Sequence, residues 1–569
     1  MSVVGPAAPP QAAAAPDAEQ SVGERPIALR RWRYSLPGLA GALAFVCLSL
    51  TPSLLPRTGL IQGLVCGITG AIGYGIGVLG AWIWRGFADR EARPTTPRSW
   101  RVFALVAGVA LVAATALGRY WQGRIRTLMG MPPDGLVSLL VIPLVAAVLF
   151  VALIAMSRGL RRIYRWLAGR LDRWIGPRAA RAVGWTAVVT GTALLISGVL
   201  LDGLVAAADA AFSVRNGTTE AGVVQTAATE RSGSPESLVP WTSLGQQGRT
   251  FAGTGPSPAQ VTAFTGAAAG VPVRAYAGLE SAPTAEQRAR LAVDDLVRAG
   301  GFDRGTLAVV TTTGSGWVDP SAVDSLEYLT GGDVATVAMQ YSYLPSWLSY
   351  LVDQQRAREA GRELFDAVYD RWSKLPPRDR PRLVVVGESL GSFGGETAFS
   401  GEYDLRNRTA GAVFAGPPNF NTLYREFVDG RDVGSPEVEP VYRAGRTVRF
   451  ANDPRSDIPP TGAPWEGPRV LYLQHPSDPI VWWSPRLILR PPDWLREPRG
   501  DDVVEALRWI PLVTFWQVTA DLPFAVEVPA GHGHVYTREY VDAWATVVQP
   551  PGWTENDAAR LRATIAPAG

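Results

Sequence analysis

Five long stretches without a charged residue lie before residue 202 of this 569-residue chain, and they constrain its fold more than any other feature. About 20 apolar residues span the hydrocarbon core of a bilayer. The sequence therefore predicts five transmembrane helices, packed as an all-α bundle over residues 34–206, with the membrane bilayer as their partner. The stretches are residues 34–56, 58–84, 102–118, 135–157 and 182–201, and the third is the shortest with 17 residues.

Arginine placement predicts how this bundle is oriented. The segments that flank and join the five stretches carry four, one, five, three and eight arginines in chain order. Positive charge is enriched on the cytoplasmic side of membrane proteins. The odd-numbered segments are therefore expected in the cytoplasm, and five crossings would carry everything after residue 206 to the outer face of the cell membrane.

The remaining regions differ in kind from the bundle. Residues 1–33 begin with an Ala-, Pro- and Gln-rich run that predicts a disordered tail, and residues 207–255 are rich in Ser, Thr, Gly and Gln, as expected of a linker. Residues 256–569 have the composition of a soluble globular domain. The net charge of +3 gives no indication of a nucleic-acid partner.

Cysteine and histidine are scarce, which limits the chemistry. Both cysteines, Cys47 and Cys66, lie inside apolar stretches, so no disulfide framework or cysteine zinc site is expected. The chain has only three histidines. Neither a metal nor another cofactor is therefore predicted.

The soluble region alternates short apolar runs with amphipathic segments. This pattern predicts an α/β fold with a mostly parallel sheet covered by helices on both faces. Ligands bind at the carboxyl edge of such sheets. The predicted strands are residues 271–276, 307–310, 334–338, 383–386, 412–414, 470–473 and 524–528.

One pentapeptide carries the clearest catalytic signal. Gly387-Glu388-Ser389-Leu390-Gly391 follows the strand at 383–386 and has the G-x-S-x-G pattern of a nucleophile elbow. In that turn the serine hydroxyl stands clear of the sheet, while the N–H of the next residue points at the developing oxyanion. Ser389 is the predicted nucleophile.

An acid and a histidine follow in the order that a serine hydrolase needs. Asp478 comes just after the strand at 470–473, and Asp453 or Asp457 is the alternative acid. His532 and His534 follow the last predicted strand, so either is a candidate base. His475 precedes a proline close to the expected acid and is interpreted as a structural or rim residue.

With these residues in place, residues 255–550 resemble an α/β-hydrolase catalytic domain. The elbow, the Asp478 turn and the Gly531-His532-Gly533 turn match that family's triad positions. The whole chain resembles a mainly actinobacterial subgroup in which this domain follows a multi-spanning membrane region. The resemblance implies an oxyanion hole from the N–H of Leu390 and a second donor in the turn after residue 310, at Thr312 or Thr313, although this turn departs from the His-Gly-Gly pattern of lipases.

Between the two histidine candidates the sequence favours His532, because glycines on both sides leave its ring free to turn toward Ser389. His534 lies closer to the next helix and remains the alternative base. The acid and the histidines are separated by an aromatic-rich segment, residues 482–523, whose apolar load fits either a cap-like wall for an acyl chain or helices packed on the core.

The sequence thus predicts a membrane-anchored serine esterase, similar to lipases, that acts on lipid or cell-envelope acyl esters. An acyltransferase would use the same acyl-enzyme and cannot be separated from it by sequence. A catalytically silent scaffold or transporter is the alternative from another class, although the five spans lack the intramembrane ionisable residues that transport commonly uses.

Overall fold

The computed structural model describes residues 34–89, 95–458 and 464–566. The predicted tail over residues 1–33 lies outside the described residues. The remaining chain consists of an N-terminal group of long apolar helices and a C-terminal α/β domain that pack directly on one another.

Four helical segments of the described chain are long and apolar enough to cross a membrane. Many of their Leu and Val side chains are exposed, as lipid-facing positions would be. Helices α5 and α6 form one of the four with the π-helical segment Leu195–Leu201 between them. The N-terminal helices are α1 (Leu36–Ser49), α2 (Gly59–Phe87), α3 (Pro97–Leu128), α4 (Ser138–Ile175), α5 (Pro177–Leu194) and α6 (Asp202–Asn216).

The first apolar stretch differs from the expected full-length helix. Helix α1 has only 14 residues, or about 21 Å at 1.5 Å per residue, which is shorter than the hydrocarbon core of about 30 Å. Pro52 and Pro56 account for this, because proline cannot donate a helical hydrogen bond and restricts the residue before it. Residues 50–58, called the junction segment below, are not helical and reach the α/β domain.

The predicted 17-residue third span belongs to a much longer helix, since α3 contains 32 residues. Glycines let α1, α2 and α4 approach closely. A Cβ placed on Gly63 of α2 would lie 2.7 Å from Cβ of Val145 in α4, and one on Gly73 would lie 2.8 Å from Cβ of Phe45 in α1. Small residues permit this kind of close packing between membrane helices.

The described part of the α/β domain contains a seven-stranded sheet in which all paired neighbours are parallel, in the order β1-β3-β2-β4-β5-β7-β6. Nearly every strand residue is buried because helices cover both faces. The strands are β1 (Val273–Ala277), β2 (Thr306–Thr311), β3 (Val334–Met339), β4 (Arg382–Glu388), β5 (Gly411–Ala415), β6 (Val448–Ala451) and β7 (Arg469–Leu473).

The helices of this domain lie between and after the strands. They are α7 (Gly245–Gly253), α8 (Pro258–Thr265), α9 (Ala285–Arg298), α10 (Pro320–Leu329), α11 (Ser346–Val352), α12 (Gln354–Ser373), α13 (Leu390–Glu396), α14 (Glu402–Arg408), α15 (Thr422–Asp429), α16 (Pro454–Asp457), α17 (Pro479–Trp482), α18 (Val513–Asp521), α19 (Glu539–Val548) and α20 (Glu555–Ile565).

The structure differs from two expectations drawn from the sequence. Residues 524–528 are not a strand: Leu522–Phe524 is a 3-10 turn and Val526 is 64% exposed, because prolines at 523 and 529 bracket a segment too short to join the sheet. Residues 207–255 are not a loose linker, since Ser232 donates a hydrogen bond to the buried Asp295 and accepts one from the backbone N–H of Tyr276 in β1.

Candidate active site

Ser389 lies at the sharp turn between β4 and α13. Its backbone has φ 56° and ψ −127°, a strained conformation for a residue with a side chain. The turn needs glycine on both sides: a Cβ on Gly387 would collide with the backbone of Gly391, and one on Gly391 would collide with the carbonyl of Thr311. These features have the geometry of a nucleophile elbow.

Asp478 follows β7 and is fully buried. Its carboxylate accepts hydrogen bonds from the backbone N–H of Ile480 at 2.8 Å and from the Tyr536 hydroxyl at 2.9 Å. The third partner is Nδ1 of His534, at 2.7 Å from Oδ2. A carboxylate only accepts, so Nδ1 carries the proton and Nε2 is left with a free lone pair.

His534 has its Nε2 atom buried and without a hydrogen-bond partner in the described structure. The ring packs on Gly416, directly after β5, and the preceding Ala415 accepts the backbone N–H of Ser389 at 2.9 Å. His534 and Ser389 line the same cavity. The structure thus brings Ser389, Asp478 and His534 to one place.

His532, which the sequence favoured as base, lies elsewhere. Its Nδ1 is 3.1 Å from Oδ2 of Asp502, whose carboxylate also accepts a hydrogen bond from Ser477. A left-handed turn at Gly533, with φ 52°, separates the two histidines. The flanking glycines do not place the His532 ring at Ser389. The turn at Gly533 brings the His532 ring to Asp502 and the His534 ring to Asp478.

The other candidates from sequence have local roles. His475 is buried, stacks on Tyr536 with ring centroids 4.1 Å apart, and has its Nδ1 2.9 Å from the Gly533 carbonyl. Asp453 pairs with Arg455, and Asp457 accepts the backbone N–H of Asn452 at 2.7 Å. Neither aspartate is among the hydrogen-bond partners of the three histidines in the described residues.

The oxyanion candidates separate in the structure. Leu390 is the first residue of α13, where backbone N–H groups have no partner within the helix. The N–H of Thr313 already donates to the Trp317 carbonyl at 3.0 Å, so it is not free to hold an oxyanion. The Thr312 side chain is occupied by the Met339 carbonyl at 2.9 Å, which leaves the backbone N–H of Thr312 as the second candidate donor.

The cavity beside Ser389 has a volume of about 540 Å³ and a mixed lining. An apolar part of this lining, called the apolar wall below, consists of Ile480, Leu522, Pro523, Ala525 and Val526. The polar part includes Thr313, Ser315, Asp319, Ser321, Glu388 and Thr537. The apolar residues suit an acyl chain, and the polar residues suit a polar alcohol portion.

The predicted cap-like insertion supplies only part of that wall. Trp482, Leu487 and Trp494 are buried in the core of the domain, which supports the core-packing interpretation for most of residues 482–523. Leu522 and Pro523, at its end, line the cavity. Pro345 and Ser346, at the start of α11, line it too.

Sequence reasoning missed two acids at this site. Glu388, directly before Ser389, lines the cavity together with Asp319. Burial raises the pKa of Glu388 well above its usual range and that of Asp319 to about 6. Asp319 precedes Pro320 at the start of α10, a pattern that indicates a helix cap but carries no signal of contact with Glu388.

The junction segment touches the histidine loop. A Cβ on Gly533 would lie 3.5 Å from Cδ2 of Leu55, which is itself buried. Arg57 forms a buried ion pair with Asp521 at 2.8 Å, and Ser53 donates to the same carboxylate at 2.5 Å. Asp521 directly precedes the cavity wall at Leu522. The N-terminal helical region therefore packs against two parts of the site.

No group of three or more His, Cys, Asp or Glu side chains in the described residues has the arrangement of a metal site.

The parallel sheet, the strained serine after β4 and the acid–histidine pair beyond later strands together define the α/β-hydrolase class. Family comparison agrees. Residues 273–561 match the model described as "Alpha/beta-hydrolase family", and residues 50–256 match the model of the N-terminus of that family.

The chain therefore belongs to this α/β-hydrolase family. No curated protein and no solved structure matches it significantly.

Proposed function

We propose that this protein is a membrane-anchored serine hydrolase that cleaves carboxylic esters through a Ser389–His534–Asp478 triad. The observation that carries the proposal is the state of His534. One ring nitrogen is held by a buried carboxylate, and the other is buried, unpaired and in the same cavity as Ser389. A general base needs that combination of a fixed tautomer and a free lone pair.

In the proposed reaction, Ser389 Oγ attacks the ester carbonyl while His534 Nε2 accepts its proton. Asp478 stabilises the resulting imidazolium, and the N–H groups of Leu390 and Thr312 bind the oxyanion. Collapse of the tetrahedral intermediate breaks the acyl C–O bond, and His534 returns the proton to the leaving alcohol. Water then attacks the acyl-enzyme by the same route in reverse, which releases the acid and regenerates Ser389.

The apolar wall supports an acyl chain as the occupant of one side of the cavity. Leu522 and Pro523 of this wall follow Asp521, which is bonded to the junction segment of the membrane region. A lipid or cell-envelope acyl ester, present at a membrane surface, suits a site whose apolar side adjoins the membrane helices.

The helix ends support an extracytoplasmic site. Four helix ends lie at the α/β domain. The start of α2 at Gly59 packs against Ser138 at the start of α4, and α3 ends near Met129, which is buried in the core of the domain. At the end of α6, Asn216 accepts a hydrogen bond from Gln340 at 3.0 Å. The opposite ends of these helices lie away from these contacts, and the eight arginines of residues 158–181 fall in the second half of α4 and at the start of α5. The positive-inside rule assigns this arginine-rich region to the cytoplasm.

The activity is tested by labelling the full-length protein with a fluorophosphonate and by measuring hydrolysis of a neutral short-chain ester. Wild type is expected to be labelled and to turn over the ester. Ser389→Ala is expected to lose both, while Ser400→Ala, which changes an exposed serine outside the cavity, keeps both. Full activity in Ser389→Ala would disprove the proposal.

Orientation is tested separately, by fusing alkaline phosphatase or a cytoplasm-only fluorescent reporter at Gly569 in intact cells. We expect an active phosphatase and a dark reporter. A silent phosphatase with a bright reporter would place the site in the cytoplasm.

A further inference from the structure

Two carboxyl groups lie in the cavity next to the proposed nucleophile. Glu388 precedes Ser389 in the elbow, and Asp319 caps α10, where its Oδ1 accepts the Ser321 N–H at 2.6 Å. Both residues line the cavity with Ser389, and the Asp319 charge adds to burial in raising the pKa of Glu388. Two neighbouring carboxyl groups do not both ionise readily, so the pair keeps one negative charge at neutral pH.

The cavity does not neutralise this charge with a cation of its own. Its lining residues, as far as the structure describes them, include no Arg or Lys. Glu388 accepts a hydrogen bond from the Tyr540 hydroxyl at 2.6 Å, and Asp319 accepts the one from the Ser321 backbone N–H. Both of these donors are neutral. A negative charge beside a developing oxyanion opposes catalysis unless a positive charge compensates for it.

A second observation indicates that the polar part of the cavity lining receives a polar ligand. Thr537 lines the cavity, and its Oγ1 atom is buried without a hydrogen-bond partner in the described residues. Buried polar atoms in folded proteins are normally hydrogen-bonded, so this atom marks a place where a ligand supplies the missing partner.

We propose that the Asp319–Glu388 pair forms a cation-binding subsite, and that the preferred ester carries an ammonium group on its alcohol portion. The proposal rests on the serine hydrolase function proposed above. The acyl chain would occupy the wall at Ile480 and Leu522, and the alcohol portion would extend toward Asp319. The same charge would disfavour esters with an anionic alcohol portion.

The test compares two esters that differ only in charge. Butyrylcholine carries a quaternary ammonium, and 3,3-dimethylbutyl butyrate is its neutral isostere. For the wild-type full-length protein, kcat/KM is expected to be about tenfold higher for the cationic ester. Asp319→Asn and Glu388→Gln keep the size of each side chain, and asparagine still caps a helix. Each variant is expected to bring the ratio close to one.

Glu286→Gln is the matched control, because it removes one carboxylate from an exposed position on α9; its ratio should equal that of wild type. A wild-type ratio of one or less overturns the subsite, and so does an unchanged ratio in a folded Asp319→Asn or Glu388→Gln. If one variant does not fold, the other and the wild-type ratio decide. Absence of turnover of both esters, with no fluorophosphonate labelling, would instead refute the hydrolase function itself.

Discussion

Replacing Arg57 with methionine should destabilise the protein at the contact between its N-terminal helical region and its α/β domain. The Arg57 and Asp521 side chains are 2% and 0% exposed, and Nε lies 2.8 Å from Oδ1. Removing one partner of a buried ion pair costs about 3–5 kcal/mol, because the other charge stays buried without compensation. We expect a loss of that size in the free energy of unfolding at pH 8.

The pH dependence of this loss has a defined sign. Burial already raises the pKa of Asp521 above its usual range, and Arg57 opposes that rise. Without Arg57 the folded-state pKa rises further, so the folded protein holds a proton that the unfolded chain releases. The free energy of unfolding of the Arg57→Met variant then falls as the pH rises. The loss in Arg57→Met should therefore be smaller at pH 6 than at pH 8.

The assay is denaturant unfolding in detergent micelles, followed by tryptophan fluorescence. Arg119→Met is the matched control, because Arg119 is exposed and its one hydrogen-bond acceptor among the described residues is the Asp134 carbonyl. This variant should change stability by about 0.5 kcal/mol or less. The double variant Arg57→Met, Asp521→Leu should regain most of the loss, since apolar replacement of a buried pair is often neutral. If Arg57→Met costs no more than Arg119→Met, the coupling is refuted.

Three further outcomes follow from the site. Asp478→Asn should keep the fold by thermal unfolding but lower kcat on the order of ten-thousand-fold, because His534 loses the acceptor that fixes its tautomer; a drop below tenfold would contradict this. Gly391→Ala should abolish ester turnover and lower the free energy of unfolding by about 1–3 kcal/mol in denaturant titration, because its methyl group collides with the Thr311 carbonyl; wild-type turnover would contradict the tight elbow. The ratio of kcat/KM for the cationic ester to that for its neutral isostere should fall as the pH drops through about 6, where Asp319 takes up its proton. Any effect of pH that is common to both esters cancels in this ratio, and a flat ratio would contradict the charge of the pair.

Much of the fold could be predicted from sequence because buried parallel strands are continuous apolar runs. Six of the strands predicted from such runs are present in the described sheet. The strand Val448–Ala451 was missed since it has four residues and contains Arg449. Residues 524–528 were wrongly predicted as a strand because their local composition resembles one, while a strand also needs a neighbour to pair with.

The site was predictable to the extent that it depends on local order. Ser389 and Asp478 each lie directly after a strand, where catalytic groups of this fold are expected. The partner of each histidine depends instead on the turn at Gly533 and on where the insertion places Asp502. Contact between Asp319 and Glu388 likewise results from the order of strands in the sheet, which no local pattern reveals.

The central claim is that His534 activates Ser389. Its most direct test is the rate of fluorophosphonate labelling in wild type, His534→Ala and His532→Ala, with the modified residue mapped by peptide mass spectrometry. We predict an adduct on Ser389, formed at a similar rate in wild type and His532→Ala and at least about a hundredfold more slowly in His534→Ala. An adduct on another residue, or wild-type labelling of Ser389 in His534→Ala with loss in His532→Ala, would contradict the account.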